Sequence, residues 1–494
     1  MDFIHLDTRS FFGRFAWDGS FSDPGSLSIS TSSDLYWDHF NFGRIIFSLR
    51  FHDLSCLCIC DSGSSERFSS QIRRSGFART TWRNLPQIPC RHLFLVSLVT
   101  LKIKFRVLLT QCSEPVENGE LIIEGGDILE ISPQASKVNT EYTLDLSDHL
   151  LMPGFVNAHS HLSLTALENK LSPSKNFACW IRDLIVLNSA LKGEERVRGI
   201  QKGASEMKSS GVTGLADYVA DSALLDSIGG LGFRSVLFLE IIGFQDKKAE
   251  GLAKEVERIF KSHGSIWTLG IAPHAPYSVS EKLFLQLDQL SKKYGCLLST
   301  HLAETNEESQ FIEKGEGPLV DLLKDRKAFD ANWKAPATSP VRYLKSLGAL
   351  NEMVAVHCNF IDGDTDAVKA AVFCPKSTHW FGRSNILPVR KMLDDGVPVA
   401  LGTDSMASND SLNFLEEIRM ADKLLPEVSR KEILKMATRF GAEILRLPCG
   451  KIEPGQKGDF IGFKIGADYD GDWHDIPFEP QRNKVDFYMM DGKF

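Results

Sequence analysis

The chain has 494 residues, of which 43% are hydrophobic and 24% are charged, so it can form one large barrel and a smaller companion domain. A formal net charge of -8 at pH 7 argues against a nucleic-acid partner and against a basic membrane binder. No apolar run reaches the roughly 20 residues that cross a bilayer, so we expect no membrane partner. The 10 cysteines are scattered rather than paired, which is typical of a protein in a reducing cytoplasm.

Residues 1–101 differ from the rest of the chain, because they contain no Lys and only one Glu, Glu66. Their eight aspartates argue against a targeting peptide, a class poor in acidic residues. We favour an atypical N-terminal extension that is translated upstream sequence, outside the native fold. Since no Met lies between Met1 and Met152, the native start would then be a non-Met codon near Leu98 to Leu101. A metal module is the other interpretation, with loosely spaced ligands at Cys56, Cys58, Cys60, Cys90, His52 and His92.

The two ends of the remaining chain favour short strands. Residues 103–110 alternate in polarity, and the segments GELII and ILEIS flank Gly125 and Gly126 as a β-hairpin. Turn residues and short apolar runs return after residue 447. We therefore predict a composite β-sandwich from 102–152 plus 448–494, which flanks a barrel over 153–447.

Eight short apolar runs alternate with amphipathic, Lys- and Glu-rich stretches between residues 153 and 447. This order predicts an α/β fold, a (β/α)8 TIM barrel, although a doubly wound sheet has the same alternation. The predicted strands are Phe155–His159, Thr213–Tyr218, Arg234–Glu240, Thr268–His274, Leu297–His301, Met353–His357, Ala371–Cys374 and Val397–Asp404.

Histidine and aspartate residues recur where these predicted strands end. Each one alone is more simply explained as a buried core histidine or a helix-capping aspartate. Together they indicate a metal site, because active sites of such barrels lie at the C-terminal ends of the strands. The residues are His159, His161, His274, His301, His357 and Asp404.

The segments PGFVNAHSHL, HAPYSV, THLAET, VAVHC and LGTDSMASN resemble the amidohydrolase superfamily, and specifically its aminohydrolase branch that includes adenosine, S-adenosylhomocysteine and chlorotriazine hydrolases. The resemblance covers residues 103–494 and implies a barrel with a flanking β-sandwich. It implies that His159, His161, His301 and Asp404 bind one divalent metal ion. Zn²⁺ is the expected ion, with Fe²⁺ as an alternative. His274 stands where binuclear relatives carry a bridging Lys, which argues for a single ion.

The resemblance also implies roles for the remaining polar residues. A metal-activated hydroxide would attack the substrate, with Asp404 accepting the proton of the bound water. Glu304 would act as general acid and base, and His357 would hydrogen-bond the attacking water or the developing oxyanion. His274 would contact the substrate. A solvated first-turn glutamate is the alternative interpretation of Glu304.

Two loops carry candidate substrate-binding residues. Trp180 and Arg182 follow the first strand, and His379 and Arg383 follow the seventh. The two loops are similar to those of aminodeoxyfutalosine deaminase-type members of menaquinone biosynthesis, whose substrate carries a carboxylate that Arg or His can neutralise. An amphipathic helix that packs Trp180 on the barrel explains the first loop equally well.

The sequence thus predicts a metal-dependent hydrolase of non-peptide C–N bonds that deaminates a small, nucleoside-like, adenine-type substrate. Hydrolysis of another heterocycle, of the triazine, guanine or methylthioadenosine/S-adenosylhomocysteine type, is the alternative. A non-catalytic scaffold barrel is disfavoured because every expected metal ligand is present. The sequence is also compatible with a homo-oligomer.

Overall fold

The computed structural model describes residues 100–493, apart from positions 175 and 362, and the backbone of four strands between residues 34 and 94. The chain divides into two units, Met1–Val99 and Thr100–Phe494. Of the helices within the described residues, none combines the length and the hydropathy that crossing a bilayer requires.

The first unit contains an antiparallel sheet in the order β1-β2-β3-β4, a regular element that the sequence did not predict. Its strands are β1 (Asp34–Tyr36), β2 (Arg44–Phe51), β3 (Leu54–Asp61) and β4 (His92–Phe94). Of the predicted metal-module residues, Cys56, Cys58 and Cys60 lie on β3 and His92 lies on β4, whereas His52 and Cys90 lie outside the described residues. Both interpretations of residues 1–101 stay predictions.

The second unit begins with four strands. They are β5 (Thr100–Leu108), β6 (Val116–Glu124), β7 (Asp127–Ser132) and β8 (Tyr142–Pro153). Between β6 and β7, Gly125 and Gly126 have φ angles of 58° and 90°. Two positive φ angles make the tight turn that suits a twisted hairpin, which is why glycine occupies both positions.

Eight parallel strands then pair in chain order, β9 with β10 and so on to β16. An isolated parallel bridge between Ser160 and Asp404 joins the two ends of this sheet. The sequential order and this bridge confirm the predicted TIM barrel and are incompatible with a doubly wound sheet. The strands are β9 (Phe155–Ser160), β10 (Val212–Val219), β11 (Arg234–Ile241), β12 (Leu269–Pro273), β13 (Leu298–Leu302), β14 (Met353–His357), β15 (Ala370–Phe373) and β16 (Val399–Leu401).

Helices follow most barrel strands, as the amphipathic stretches predicted. For example, Ser280 caps the helix Glu281–Tyr294 by accepting a hydrogen bond from the Leu283 N–H, and Gly295 ends it in the left-handed conformation. The helices are α1 (Phe177–Ala190), α2 (Gly193–Ser209), α3 (Leu225–Gly229), α4 (Asp246–His263), α5 (Glu281–Tyr294), α6 (Asn306–Lys314), α7 (Pro318–Asp325), α8 (Pro340–Ser346), α9 (Pro375–Trp380), α10 (Val389–Asp394), α11 (Phe414–Leu424), α12 (Arg430–Ala437) and α13 (Arg439–Leu445).

The chain ends with β17 (Phe460–Lys464) and β18 (Phe487–Met489). These strands extend the N-terminal strands of this unit into one six-stranded sheet with the order β18-β17-β8-β5-β6-β7. Strand β17 pairs antiparallel with β8, from Phe460 opposite Pro153 to Lys464 opposite His149. The last residue of β8 lies two positions before β9, so this sheet connects directly to the first barrel strand.

Candidate metal centre

The first and last barrel strands meet at the candidate metal centre. The Asp404 N–H donates to the His159 carbonyl at 3.1 Å, and the His161 N–H donates to the Asp404 carbonyl at 3.4 Å. These bonds hold three predicted ligands together even though Asp404 is far from the histidines in sequence. Strand β16 ends three residues before Asp404, earlier than predicted, since Asp404 takes a left-handed φ of 57°.

The four predicted ligands lie together at the C-terminal end of the barrel, and the ligand atoms of His159, His161 and Asp404 are within 4.8 Å of one another. Ring centroids of His159 and His161 are 4.8 Å apart, and those of His159 and His301 are 5.0 Å apart. Oδ1 of Asp404 lies 3.6 Å from Nε2 of His159 and 3.8 Å from Nε2 of His161. Donors bound to one tetrahedral zinc ion are separated by roughly 3.3–3.6 Å, so this spacing fits a single small cation.

The chemistry of the donors also fits a divalent cation. His159 is fully buried, and neither of its ring nitrogens has a hydrogen-bond partner. Burial lowers the pKa of His159 to about 3, so the ring is the neutral imidazole that binds metals. Burial alone would raise the pKa of Asp404, but His159, His357 and His161 hold that pKa well below its ordinary value. The site therefore offers neutral imidazoles and a carboxylate.

A second layer of hydrogen bonds orients two of the ligands. Nδ1 of His301 lies 2.8 Å from the His274 carbonyl, which leaves Nε2 of His301 facing the centre. Oδ2 of Asp404 accepts hydrogen bonds from Ser377 at 2.7 Å and Ser408 at 2.8 Å, so Oδ1 stays available as a ligand. Sequence reasoning assigned no role to the two serines, although Ser408 lies in the quoted segment LGTDSMASN and Ser377 lies in the loop after the seventh strand.

The predicted acid/base residue Glu304 lies beside the ligand cluster. Oε1 of Glu304 is 2.6 Å from Nη2 of Arg383 and 3.9 Å from Nε2 of His357. The carboxylate of Glu308 accepts the backbone N–H groups of Ala303 and Glu304 at 3.0 and 2.9 Å, which fixes this turn. Glu304 is buried, so it is not the solvated first-turn glutamate of the alternative interpretation.

His357 and His274 complete the polar wall of the site. Nitrogen atoms of His357 lie within 4.8 Å of those of His159 and His301, close enough for His357 to be a ligand as well. The ring of His274 is 4.9 Å from that of His301, and its Nδ1 lies 2.6 Å from the Ser278 hydroxyl.

Several site residues have backbone conformations that non-glycine residues rarely adopt. Ala303, His357, Cys358 and Asp404 have φ angles of 48°, 72°, 50° and 57°. Each such residue costs about 1–3 kcal/mol, and such costs concentrate at functional sites. The strained residues therefore lie at the same C-terminal ends of the barrel strands as the predicted ligands.

The two predicted specificity loops meet through aromatic side chains. Trp180 is buried and stacks on Phe177 with ring centroids 5.6 Å apart, and its indole N–H donates to the Ala407 carbonyl at 3.2 Å. The Arg383 guanidinium lies 4.3 Å from the ring centroid of Phe381 and 5.7 Å from that of Phe177. Trp180 thus packs on the barrel. Arg383 contacts the site by pairing with the carboxylate of Glu304.

The structure does not bring Arg182 or His379 into the ligand cluster. Arg182 pairs with Asp325 at 2.9 Å, and its side chain is 36% exposed. Since residues two apart on a helix differ by about 200°, Arg182 must point away from the barrel once Trp180 packs against it. His379 is likewise exposed, next to the buried Thr378 on α9.

Sequence reasoning missed Glu240, which ends the third predicted strand in the same way as the histidines end theirs. Its Oε1 lies 3.9 Å from Nδ1 of His161. Burial raises the pKa of Glu240 to about 7, and His301 only partly opposes that increase. The position at a strand end was the signal available in the sequence.

The chain is similar to proteins of a known family over most of its length. The family model described as "Amidohydrolase family" matches residues 150–494. The chain belongs to the amidohydrolase family. This confirms the resemblance seen in the sequence, and it makes the protein a hydrolase of non-peptide C–N bonds that acts on a small molecule.

Individual proteins are similar to this amidohydrolase over most of its length. The 5-methylthioadenosine/S-adenosylhomocysteine deaminase of Pyrococcus furiosus is 30% identical over 365 residues, which cover 70% of this chain and 81% of the relative. An adenosine deaminase from Xanthomonas campestris with bound zinc has 24% identity and a TM-score of 0.66, covering 80% and 92% of the two chains. Helicobacter pylori aminofutalosine deaminase in complex with methylthio-coformycin has 21% identity and a TM-score of 0.69, covering 80% and 99%. The two solved structures confirm the fold.

Proposed function

We propose that this amidohydrolase binds one divalent metal ion through His159, His161, His301 and Asp404 and removes the amino group of an adenine-type nucleoside. The observation that carries the proposal is His159, a buried neutral imidazole with both nitrogens unpaired, 3.6 Å from the Asp404 carboxylate. An unpaired buried imidazole is costly, and a bound cation removes that cost.

Zinc is the favoured ion, because three imidazoles and one carboxylate suit its tetrahedral coordination, with Fe²⁺ as the alternative occupant. The zinc in the Xanthomonas campestris neighbour supports this choice. His274, rather than a lysine, follows β12, which favours one ion over two.

Each polar side chain of the site has a separate role in the proposed deamination. When bound, the ion supplies a water molecule activated for attack on the substrate carbon. Asp404, with Oδ2 held by two serines, would bind the ion through Oδ1 and accept one of the two protons of that water. Glu304 would take one proton of the water and deliver it to a ring nitrogen, and the second proton, which Asp404 accepts from the attached hydroxyl, would pass through Glu304 to the departing ammonia. His357 donates a hydrogen bond to the oxygen that becomes bound to the ring.

The substrate class is supported by the curated relative, which is a deaminase of methylthioadenosine and S-adenosylhomocysteine. The two specificity loops favour aminodeoxyfutalosine as the alternative within this class. Nη1 of Arg383 is buried without a hydrogen-bond partner, so it offers a donor to an acceptor group on such a substrate. In the structure Arg182 and His379 are less suited to that task, because Arg182 is partly exposed and paired with Asp325, and His379 is exposed.

The test is ammonia release from adenosine, methylthioadenosine, S-adenosylhomocysteine and aminodeoxyfutalosine, assayed side by side with purified, zinc-loaded protein. We expect turnover of at least one, and none from an Asp404→Asn variant. A zinc-loaded protein that leaves all four intact would contradict deamination of adenine-type nucleosides and direct attention to triazine or guanine-type substrates.

We also propose a cytoplasmic location, supported by the six unpaired cysteines among the described residues.

We propose that residues 102–152 and 448–494 form one β-domain beside the barrel of residues 153–447, since the six-stranded sheet takes strands from both segments. Thr100 and Leu101 belong to β5 and pair with β6, so only residues 1–99 would then lie outside the native fold, and N-terminal sequencing of the native protein tests that boundary.

A further inference from the structure

Glu240 carries a buried carboxylate that the proposed chemistry does not use. The side chain is 8% exposed, and its Oε1 has no hydrogen-bond partner. Val236 and Phe238, two and four residues earlier on β11, belong to the apolar cluster of the barrel strands. Because side chains alternate along a strand, Glu240 shares their face, at the C-terminal end of the strand. An unpaired carboxylate at such a place requires a compensating partner.

The donor that faces this carboxylate belongs to a predicted metal ligand. Nδ1 of His161 lies 3.9 Å from Oε1 of Glu240, and Nε2 of the same ring lies 3.8 Å from Oδ1 of Asp404. One edge of the imidazole therefore faces the metal centre, and the other faces Glu240. If Nε2 binds the ion, Nδ1 carries the proton and needs an acceptor.

We propose that Glu240 is the positioning residue of His161: its carboxylate accepts the Nδ1–H and holds Nε2 toward the metal ion. The inference rests on the proposed metal site. The present separation exceeds a hydrogen bond by about 1 Å, a distance that a small rotation of either side chain closes. A carboxylate that accepts from a metal-bound imidazole fixes the orientation of the ring and strengthens it as a ligand.

A second metal ion held by His161, Glu240 and His301 is the competing interpretation, because their ligand atoms lie within 4.8 Å of one another. The hydrogen bonds argue against it. Nδ1 of His301 faces the His274 carbonyl at 2.8 Å, so this ring has only Nε2 to offer, and the first ion already uses it. Glu240 is thus left with the Nδ1–H of His161.

The experiment measures the zinc dissociation constants of three full-length proteins by competition with a chromogenic chelator. They are the unmodified protein, the Glu240→Ala variant and the Glu240→Gln variant. We expect one zinc per chain in all three. Affinity should fall about 10- to 100-fold in Glu240→Ala and less in Glu240→Gln, whose amide oxygen still accepts a hydrogen bond. Melting temperatures are measured with and without zinc, and a loss specific to the metal-bound state appears as a smaller zinc-induced increase in the variants than in the unmodified protein.

Glu120→Gln is the matched control, since Glu120 is also a poorly exposed glutamate but lies in the six-stranded sheet, where it accepts from the Ser136 N–H rather than from a ligand. Its zinc affinity should equal that of the unmodified protein. Equal zinc affinities in all Glu240 variants would overturn the inference, and so would a second zinc ion that Glu240→Ala loses. An unmodified protein that binds no zinc would instead refute the proposed function.

Discussion

Nη2 of Arg383 lies 2.6 Å from Oε1 of Glu304, and the two side chains are only 9% and 7% exposed. Burial alone would raise the pKa of Glu304, but His357 and Arg383 outweigh burial and hold the pKa below its ordinary value. Glu304 is therefore a carboxylate before substrate binds, and it must gain its proton during the reaction. A loop that sequence reasoning assigned to substrate recognition thus also controls the acid/base residue.

Replacing Arg383 with Ala should move the acid limb of the kcat/KM profile to higher pH. In the unmodified protein the lowered pKa keeps Glu304 ionised as the pH falls. Removing the guanidinium takes away one lowering influence, so the carboxylate becomes protonated, and activity is lost, at a higher pH than before. The measurement is kcat/KM against pH for both proteins. Arg383→Lys should lie between them, and a profile that shifts to lower pH would contradict the argument.

Glu304→Gln should reduce kcat by about 10²–10⁴, the usual contribution of a general acid or base. The amide keeps the shape of the side chain but cannot carry the proton from water to the leaving group. Zinc content, measured by elemental analysis, should stay unchanged, because Glu304 is not one of the proposed ligands. A variant that retains zinc and loses only a few-fold in kcat would exclude Glu304 as the proton carrier.

Metal removal should abolish activity and lower stability together. An ion that binds only the folded state stabilises it by about 2.7 kcal/mol at a free concentration 100 times its dissociation constant. Zinc added to the chelator-treated protein should therefore raise the free energy of unfolding by about that amount and restore activity. His159→Ala at the same zinc concentration should show neither effect. If this variant responds like the unmodified protein, His159 is not a ligand.

Arg182→Ala should leave kcat and KM unchanged. The ion pair with Asp325 is partly exposed, and such pairs contribute about 0–1 kcal/mol. Urea unfolding should detect at most that loss, and the same panel of nucleosides should be turned over at unaltered rates. A selective rise in KM for a carboxylate-bearing substrate would restore the substrate-binding role predicted from the sequence.

The features predictable from the sequence are those fixed by local pattern. His159 and His161 alternate on one strand, and the strand-end positions of His301 and Asp404 follow from the order of a barrel. The orientation of Arg182 depended on which face of α1 packs inward, a tertiary choice. Other features needed contacts between distant segments, which no local spacing reveals: the hydrogen bonds of Ser377 and Ser408 to Asp404, the Arg383–Glu304 ion pair and the approach of Glu240 to His161.

Gly402→Ala should weaken metal binding although Gly402 contacts no metal. A Cβ atom added there would lie 2.8 Å from Cβ of His159 and 3.0 Å from its carbonyl oxygen, closer than carbon atoms normally pack. His159 must therefore shift, and overpacking of this kind costs about 1–3 kcal/mol. We expect a lower zinc affinity and a lower free energy of unfolding, measured by chelator competition and urea titration.

Gly251→Ala provides the matched control, because its added Cβ meets nothing within 4 Å on the exposed face of α4. Alanine favours a helix interior over glycine by about 1 kcal/mol, so this variant should be slightly more stable and bind zinc normally. The contrast separates the loss of a glycine from the displacement of His159. Equal zinc affinities in the two variants would mean that the close approach of Gly402 to His159 does not set the ligand geometry.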